Sequence, residues 1–156
     1  MLTIIFVCHG NICRSVAAEY ILKKKIKDLH LEDRLCCFSR ATSNEEIGND
    51  IYPPMKDELR KRGIPFTRHF AERITQKDYD LADYIFYMDN NNKRYLNFLL
   101  DDYKNIIKPV TCFDDKNFEI EDPWYTDNFQ KVCDELSKEI EVLLKEKIAK
   151  EAEKEA

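Results

Sequence analysis

The sequence predicts an α/β fold in which helices cover both faces of a mainly parallel sheet. Short apolar segments alternate along the chain with longer segments in which apolar residues recur at helical spacing. A short, continuously apolar run is typical of a strand that is buried on both faces. Because strands joined through helices need crossover connections, we expect these strands to run parallel.

Four apolar segments are predicted to form the strands. The first is rich in isoleucine, which favours a buried strand. The segments are Leu2 to Val7, Leu35 to Thr42, Tyr84 to Met88 and Ile106 to Phe113. In open parallel sheets, ligands bind at the carboxyl ends of the strands, near the point where the strand order reverses. This rule predicts a site next to Cys8, which follows the first strand.

Four helices are predicted between and after these strands. Apolar residues at helical spacing begin at Val16 and continue through Tyr20 and Ile21. A second helix opens with a proline pair and is followed by a glycine, which are common start and end signals. The last helix has a continuous amphipathic pattern. The later helices are predicted at Tyr52 to Arg62, Asn90 to Leu100 and Trp124 to Ile148.

The composition indicates one globular domain spanning residues 1–156. A chain of this length can bury a full core, and it contains no internal repeat or Gly/Ser-rich linker. Charged residues make up 35% of the chain, which argues against a membrane protein, and the net charge of −5 argues against a nucleic-acid surface. The apolar run Ile4 to Cys8 is too short for a signal peptide or a membrane span. We therefore expect a cytoplasmic monomer, with a charged, frayed helix end at about residues 145–156.

The six cysteines are predicted to be reduced thiols. The chain shows no secretion signal, and most of the cysteines lie in apolar segments, so a disulfide framework is not indicated. No two have the Cys-x2-Cys spacing of a zinc site, and only three histidines are present, so no metal or other cofactor is expected. The cysteines are Cys8, Cys13, Cys36, Cys37, Cys112 and Cys133.

The segment that follows the first strand carries the clearest functional signal. A cysteine ends the strand, a loop with a glycine follows, and an arginine and a serine open a helix. The N–H groups of such a loop form an anion cradle, and the helix N-terminus adds the positive end of its dipole. An arginine in this position can bind two phosphate oxygens at once. The predicted phosphate-binding loop is Cys8, His9, Gly10, Asn11, Ile12, Cys13, Arg14 and Ser15.

Cys8 is the predicted nucleophile of this loop. A helix N-terminus and the guanidinium of Arg14 would both favour its thiolate, which is the reactive form. We expect Gly10 to adopt backbone conformations closed to other residues, Asn11 to accept a left-handed conformation, and Ser15 to hydrogen-bond the sulfur or a loop carbonyl. Attack on phosphorus would form a cysteinyl-phosphate intermediate. A lone cysteine at a strand end is usually a core residue, but the order of strand, loop, Arg-Ser and helix favours function.

Asp122 is the predicted general acid. Because Pro123 disfavours helical geometry in the preceding residue, the carboxyl should lie on a loop before the last helix. Trp124 and Tyr125 follow and could wall a cleft for an aryl group. Asp122 would protonate the leaving oxygen and then deprotonate the water that releases phosphate.

These two segments resemble the phosphate loop and the acid loop of the low-molecular-weight protein tyrosine phosphatases. The similarity continues in order to about Leu144. The resemblance implies a flavodoxin-like, three-layer sandwich with four parallel strands. It also implies metal-independent hydrolysis of phosphotyrosine proteins and aryl phosphates, with phosphate, sulfate or vanadate as active-site anions. The further matching segments are Ser39 to Thr42, Gly48 to Pro53, His69 to Arg73 and Asp83 to Asp89.

The resemblance implies roles for single residues as well. Cys8 would be the nucleophile, Arg14 the clamp for the phosphate and the transition state, and Asp122 the general acid. Cys13 would be a redox partner that forms a reversible, protective disulfide with Cys8. The residues implied as supports are Asn11, Ser15, His69 and Asp89.

The chain departs from the family pattern at the rim of the cleft. His9 stands where an apolar residue is frequent, and Glu45 and Glu46 lie where an aromatic residue is frequent. The predicted cleft is therefore lined by His9, Glu45, Glu46, Trp124 and Tyr125. Because like charges repel across a cleft at low salt, we expect this rim to disfavour strongly acidic phosphopeptides.

Four other functions are compatible with a loop of this kind. An arsenate reductase of the same fold needs further redox cysteines, and Cys112 and Cys133 are poorly placed for that in a predicted strand and helix. A protein-arginine phosphatase of the same fold prefers threonine where this chain has Ile12. A catalytically silent phosphate-binding module or a phosphocarrier would not need Asp122 beside two aromatic residues.

Overall fold

Four parallel strands form one sheet in the order β2-β1-β3-β4 in the computed structural model, which describes residues 1–145. The central strand β1 pairs with β2 from Leu2 to Cys8 and with β3 from Ile4 to Val7. The short strand β4 pairs only with β3. The strands are β1 (Leu2–Cys8), β2 (Leu35–Ala41), β3 (Tyr84–Tyr87) and β4 (Ile107–Pro109).

Six helices accompany this sheet within residues 1–145. They are α1 (Arg14–Asp28), α2 (Pro53–Lys61), α3 (Gln76–Leu81), α4 (Asn90–Leu99), α5 (Pro123–Thr126) and α6 (Phe129–Leu143). Within this part of the chain, no helix combines the length and the apolar character needed to cross a bilayer.

The helices pack on both faces of the sheet because β1 is apolar on both of its sides. Successive strand residues point to opposite faces. Ile4 and Phe6 pack in a cluster with residues of α1, α2 and α6, whereas Ile5 and Val7 pack with residues of α3 and α4. The result is a three-layer α/β sandwich of the flavodoxin-like type, which confirms the predicted fold class.

The strand order places the carboxyl end of β1 at the topological switch point of the sheet. From β1 the chain first moves outward to β2 and then returns to β3 on the other side. Connections on the two sides therefore diverge and leave a crevice at the end of β1. Cys8 is the last residue of that strand.

The fourth strand is shorter than the predicted segment Ile106 to Phe113. It ends at Pro109, and a turn follows in which the Cys112 N–H donates to the Pro109 carbonyl at 3.0 Å. Val110 is buried, and Phe113 packs against the core. The apolar residues after Pro109 therefore reflect burial of a turn, and the prediction of a longer strand was wrong.

The predicted helix Trp124 to Ile148 is divided in the structure. Asp127 has a left-handed backbone with φ of 58° and ends α5, and the side chain of Asn128 accepts from the Lys131 N–H at the start of α6. Aspartate and asparagine favour these positions, so the interruption has a local cause. Ile148 and nearly all of the charged segment 145–156 lie outside the described residues.

Helix α3 was missed in the sequence. It begins with a capping box in which Thr75 and Asp78 each accept a hydrogen bond from the other's backbone N–H. Tyr79 is the buried residue of this helix. Because the helix has only six residues, its apolar periodicity is too short to recognise, and the Thr-x-x-Asp pattern was the available signal.

Candidate active site

The phosphate loop connects the end of β1 to the start of α1. Cys8 is 3% exposed and Ser15 is fully buried, so the two ends of the loop are anchored in the core. Cys13 occupies the position before α1 and provides no side-chain cap. The first N–H groups of the helix therefore remain available for an anion or a thiolate.

The sulfur of Cys8 receives hydrogen-bond partners from the first turn of α1. Its Sγ lies 3.0 Å from Ser15 Oγ, and the Ser15 N–H donates to it at 3.4 Å. Donors of this kind stabilise negative charge on an acceptor atom. The arrangement is suited to a thiolate nucleophile.

Asn11 gives the loop its turn. Its backbone is left-handed, with φ of 61°, and Asn11 is fully buried. The amide Nδ2 donates to Ser15 Oγ and to Ser39 Oγ, both at 2.9 Å. The carbonyl accepts from His69 Nε2 at 2.7 Å. Burial lowers the pKa of His69 despite this bond, so the ring binds the loop in its neutral form.

The structure does not give Gly10 the special backbone conformation that was predicted for it. Its φ is not positive, so Asn11 alone supplies the left-handed position of the loop. A Cβ at Gly10 would lie 3.2 Å from Glu46 Cγ. A side chain at this position would therefore require the Glu46 side chain to shift by a few tenths of an ångström.

Arg14 is held by two segments that are distant in sequence. Its Nη1 donates to Asp89 Oδ2 at 2.7 Å and to the Ile120 carbonyl at 2.9 Å. Its Nη2 lies 3.5 Å from Asp122 Oδ2, and the side chain is 3% exposed. Burial opposes the charge of the guanidinium, but the negative charges of Cys8, Asp89 and Asp122 outweigh it and raise the pKa of Arg14. The guanidinium is thus charged and oriented before any ligand binds.

Asp122 lies across the cavity from the phosphate loop. Its Oδ1 accepts from the Trp124 N–H at 3.0 Å, which makes Asp122 the cap of α5, and its side chain is 27% exposed. Pro123 is buried and anchors this turn. The carboxyl is therefore fixed on one oxygen, while the other faces Arg14.

One cavity of about 140 Å³ is lined by all the predicted site residues except Asn11 and Ser15. The loop forms its base, Asp122 one side, and the rim glutamates and two aromatic residues its mouth. The lining residues are Cys8, His9, Gly10, Ile12, Cys13, Arg14, Glu45, Glu46, Asp122, Trp124 and Tyr125. All five residues predicted for the substrate cleft are in this set.

The acidic rim is in contact with a neighbouring imidazole. His9 Nε2 lies 3.0 Å from Glu45 Oε2, and the His9 ring lies 6.4 Å from that of Tyr95. Glu46 Oε2 accepts from Asn49 at 2.6 Å. Glu45 and Glu46 therefore occupy defined positions at the mouth of the cavity.

The remaining cysteines differ in their access to the site. Cys13 lines the cavity, and burial raises the pKa of its thiol. Burial also raises the pKa of Cys112 to about 11 and that of Cys133 to about 12. Cys112 lies in the turn after β4 instead of in the strand, and Cys133 is fully buried in α6. All six cysteines are unpaired.

Two residues near the site were not found in the sequence. Glu19 Oε1 accepts from Ser39 Oγ at 2.6 Å, and Ser39 in turn contacts Asn11. Glu19 lies four residues after Ser15 on α1 and therefore on the same helix face, and this spacing was the signal by which it could have been found. Tyr52 contacts Trp124 with ring centroids 4.7 Å apart. For Tyr52, the available signal was an aromatic residue at a position where a helix-capping residue is expected.

The sequence and the fold both match known proteins along nearly the whole chain. A sequence model of low molecular weight phosphotyrosine protein phosphatases matches residues 3–154. The mouse low molecular weight phosphotyrosine protein phosphatase is 39% identical over 127 residues, covering 79% of this chain and 80% of the mouse protein. YfkJ of Bacillus subtilis, a low molecular weight protein-tyrosine-phosphatase, is 33% identical over 148 residues, covering 92% of this chain and 94% of YfkJ.

Solved structures agree with these sequence matches. The crystal structure of YfkJ superposes with a TM-score of 0.86 and covers 92% of each chain. A protein tyrosine phosphatase from Entamoeba histolytica, crystallised with Hepes in its active site, gives a TM-score of 0.86 at 32% identity over the full length of both chains. The chain therefore belongs to the low molecular weight phosphotyrosine protein phosphatase family.

Proposed function

We propose that this chain is a protein tyrosine phosphatase that hydrolyses phosphotyrosine and small aryl phosphates without a metal. The observation that carries the proposal is the single cavity shared by Cys8, Arg14 and Asp122. It combines a nucleophile, a fixed cation and an acid within reach of one bound phosphate. Membership of a family whose members are named phosphatases supports the same conclusion.

The first chemical step transfers the phosphoryl group to Cys8. The thiolate attacks phosphorus, and an S–P bond forms as the bond from phosphorus to the phenolic oxygen breaks. Arg14 and the loop N–H groups stabilise the charge on the equatorial oxygens. Asp122 donates its proton to the leaving oxygen, which departs as a neutral phenol.

The second step releases phosphate and restores the thiolate. Asp122, now ionised, takes a proton from a water molecule that attacks phosphorus. The P–S bond breaks, inorganic phosphate leaves, and Ser15 again donates to the sulfur. The same carboxyl therefore acts first as an acid and then as a base.

The test is hydrolysis of p-nitrophenyl phosphate in the presence of a chelator. We expect turnover by the intact chain, competitive inhibition by vanadate or phosphate, and no turnover by Cys8→Ser. Cys36→Ser is the matched control, because Cys36 is half-buried in β2 and does not line the cavity. Turnover that requires a metal, or that survives in Cys8→Ser, would contradict the proposal.

The same assay separates the alternative functions. Ile12 lines the cavity and suits an aryl ring, so we expect phosphotyrosine to be preferred to phosphoarginine. Cys133 is fully buried and inaccessible as a relay thiol, so we expect no thioredoxin-coupled reduction of arsenate. A phosphate-binding module or phosphocarrier would bind vanadate without turnover.

Cys13 is proposed as the redox partner of Cys8. Both thiols line the cavity, and oxidation by hydrogen peroxide would convert them into one disulfide with release of two waters. Inactivation of the intact chain should then be reversed by dithiothreitol. In Cys13→Ala the sulfenic acid of Cys8 has no neighbouring thiol to condense with. A second molecule of hydrogen peroxide can then oxidise it to the sulfinic acid with release of water, so inactivation should become largely irreversible.

Three further proposals accompany this function: one domain for the whole chain, a monomeric state and a cytoplasmic location. The unpaired cysteines suit a reducing compartment. A single cooperative unfolding transition, a monomer mass by light scattering, and recovery in the cytosolic fraction are the expected results.

A further inference from the structure

Helix α2 begins with a residue that does not cap it. Tyr52 is the residue before Pro53, its φ and ψ are −57° and 130°, and its side chain makes no capping hydrogen bond. Serine, threonine, aspartate and asparagine are preferred at this position, because their side chains accept from the free N–H groups of the first turn. A tyrosine here gives up that stabilisation.

The ring of Tyr52 is instead packed against the acid loop. Its centroid lies 4.7 Å from that of Trp124, at an interplanar angle of 46°, and 6.0 Å from that of Phe129. Tilted aromatic pairs at these distances gain an attraction in addition to the stabilisation that comes from burying apolar area. Trp124 belongs to α5 and Phe129 opens α6, so one ring contacts both helices that follow Asp122.

Tyr52 is also bonded to the phosphate loop through its backbone. Its N–H donates to the Ile12 carbonyl at 2.9 Å. Ile12 lines the cavity, whereas Tyr52 does not. Tyr52 therefore connects the nucleophile loop with the acid loop from behind the cavity wall.

The connection extends to the carboxyl of Asp122. Trp124 contacts Tyr52 through its ring and donates its backbone N–H to Asp122 Oδ1 at 3.0 Å. Trp124 is 50% exposed, so its position depends strongly on the few contacts it makes, among them the contact with the Tyr52 ring. Displacement of Trp124 would move the N–H that orients the acid.

We propose that Tyr52 is a positioning residue that holds Trp124, and through it the general acid Asp122, in register with the phosphate loop. The proposal rests on the proposed function, because it assigns a purpose to Tyr52 only if Asp122 protonates the leaving group. Tyr52 does not touch the substrate. Its contribution is greatest for phenols that need a proton in order to leave.

The test compares two substrates that differ in leaving group. Phenyl phosphate releases a basic phenolate and needs the acid, whereas p-nitrophenyl phosphate releases a stabilised phenolate and needs it less. The measured quantity is kcat/KM, which reports the step that releases the phenol. Tyr52→Asn removes the ring and supplies a capping side chain without adding charge. Tyr52→Phe keeps the ring.

For Tyr52→Asn we expect kcat/KM to fall about tenfold with phenyl phosphate and much less with p-nitrophenyl phosphate. Tyr52→Phe should retain the activity of the intact chain on both. In an Asp122→Asn background, Tyr52→Asn should cause no further loss. Tyr103→Asn is the matched control, since it removes an exposed tyrosine outside the cavity and should leave both values unchanged. If Tyr52→Asn does not fold, Tyr52→Leu replaces it with the same expectation.

Trp124 provides a second readout because it is the only tryptophan of the chain. Loss of the Tyr52 ring should lower the steady-state fluorescence anisotropy of Trp124 and shift its emission to longer wavelength. Equal losses with the two substrates, a loss that persists in the Asp122→Asn background, or unchanged Trp124 fluorescence would overturn the positioning role. If Asp122→Asn itself shows no dependence on the leaving group, the acid assignment of the proposed function fails instead, and the role of Tyr52 falls with it.

Discussion

Asn11 combines a left-handed backbone with four hydrogen bonds at the centre of the phosphate loop. Its side chain bonds Ser15, Ser39 and the Glu72 N–H, and its carbonyl accepts from His69. A left-handed conformation is costly for most residues, whereas asparagine tolerates it. This residue therefore sets the shape of the loop and fixes the hydroxyl that faces the Cys8 sulfur.

Asn11→Ala should destabilise the protein and its site together. We expect the free energy of unfolding to fall by about 2–4 kcal/mol, from backbone strain and from buried groups left without partners. Phosphatase kcat should fall because Ser15 is no longer oriented. Asn105→Ala is the control, since Asn105 is also left-handed, with φ of 55°, but is exposed. An equal loss of stability in both variants, by urea denaturation, would contradict the role of the hydrogen bonds.

The two rim glutamates should tune which phosphopeptides are accepted. Glu45 is 70% exposed, so each glutamate contributes only a screened repulsion of about 0.5 kcal/mol. Glu45→Gln with Glu46→Gln should therefore raise kcat/KM for an acidic phosphopeptide by roughly fivefold at low salt, and less at high salt. Glu32→Gln, at an exposed position outside the cavity, should change nothing. Equal turnover of acidic and basic peptides by the intact chain at every ionic strength would refute this effect.

At the scale of elements, Asp89 links helix α4 to the active site. Its Oδ1 accepts from the Asn92 N–H in a capping box, and its Oδ2 accepts from Arg14. One carboxylate thus starts a helix and orients the guanidinium that we propose to bind phosphate. The position just after β3 makes both contacts possible, because β3 is the neighbour of β1.

Two substitutions separate these contributions. Asp89→Asn keeps a capping oxygen but loses the charged partner of Arg14. We expect it to lower the free energy of unfolding by about 2–3 kcal/mol and to lower kcat/KM. Asp89→Ala should lower the free energy of unfolding by about 1 kcal/mol more than Asp89→Asn, because the helix cap is also lost. Thr75→Ala removes the similar capping box of α3 and should reduce stability with unchanged activity. Full activity in Asp89→Asn would show that Arg14 does not need this carboxylate.

At the scale of the whole molecule, one buried carboxyl makes stability depend on pH. Glu139 of α6 is 1% exposed and lies against Asp114 of the turn after β4. Burial, followed by the proximity of the Asp114 carboxylate, raises the pKa of Glu139 to about 7. Between its ordinary pKa and about 7, the folded protein binds more protons than the unfolded chain. Stability therefore falls as the pH rises through this window.

Glu139→Gln should abolish this component of the pH dependence. The amide mimics the protonated carboxyl and can donate to Asp114, so the variant should match the intact protein near pH 5. At pH 8 it should be more stable by about 1–3 kcal/mol, since no charge is buried. Urea denaturation at both pH values checks this, with the exposed Glu32→Gln as the control. A constant difference between the proteins at both pH values would exclude Glu139 as the source.

The fold could be predicted largely because its strongest signals are local. The strand, loop and helix from Leu2 to Asp28 are specified by one apolar run, a turn residue and a helical period. The predictions failed where an apolar pattern reported that residues are buried but not which backbone conformation they adopt. Val110 and Phe113 are apolar because they pack in a turn, and α6 starts late because Asp127 and Asn128 interrupt an otherwise continuous amphipathic pattern.

The chemical groups of the site and the local backbone that carries them could be predicted from the sequence, because Cys8 to Ser15 and Asp122 to Tyr125 are each contiguous. Their mutual placement became visible only in the folded molecule. Asp89, Ile120 and Asp122 reach Arg14 only because parallel strands bring their carboxyl ends to one edge of the sheet. Likewise Tyr52 meets Trp124 only after α2 and α5 have packed. Such contacts depend on the summed packing of distant elements, for which no local pattern of residues exists.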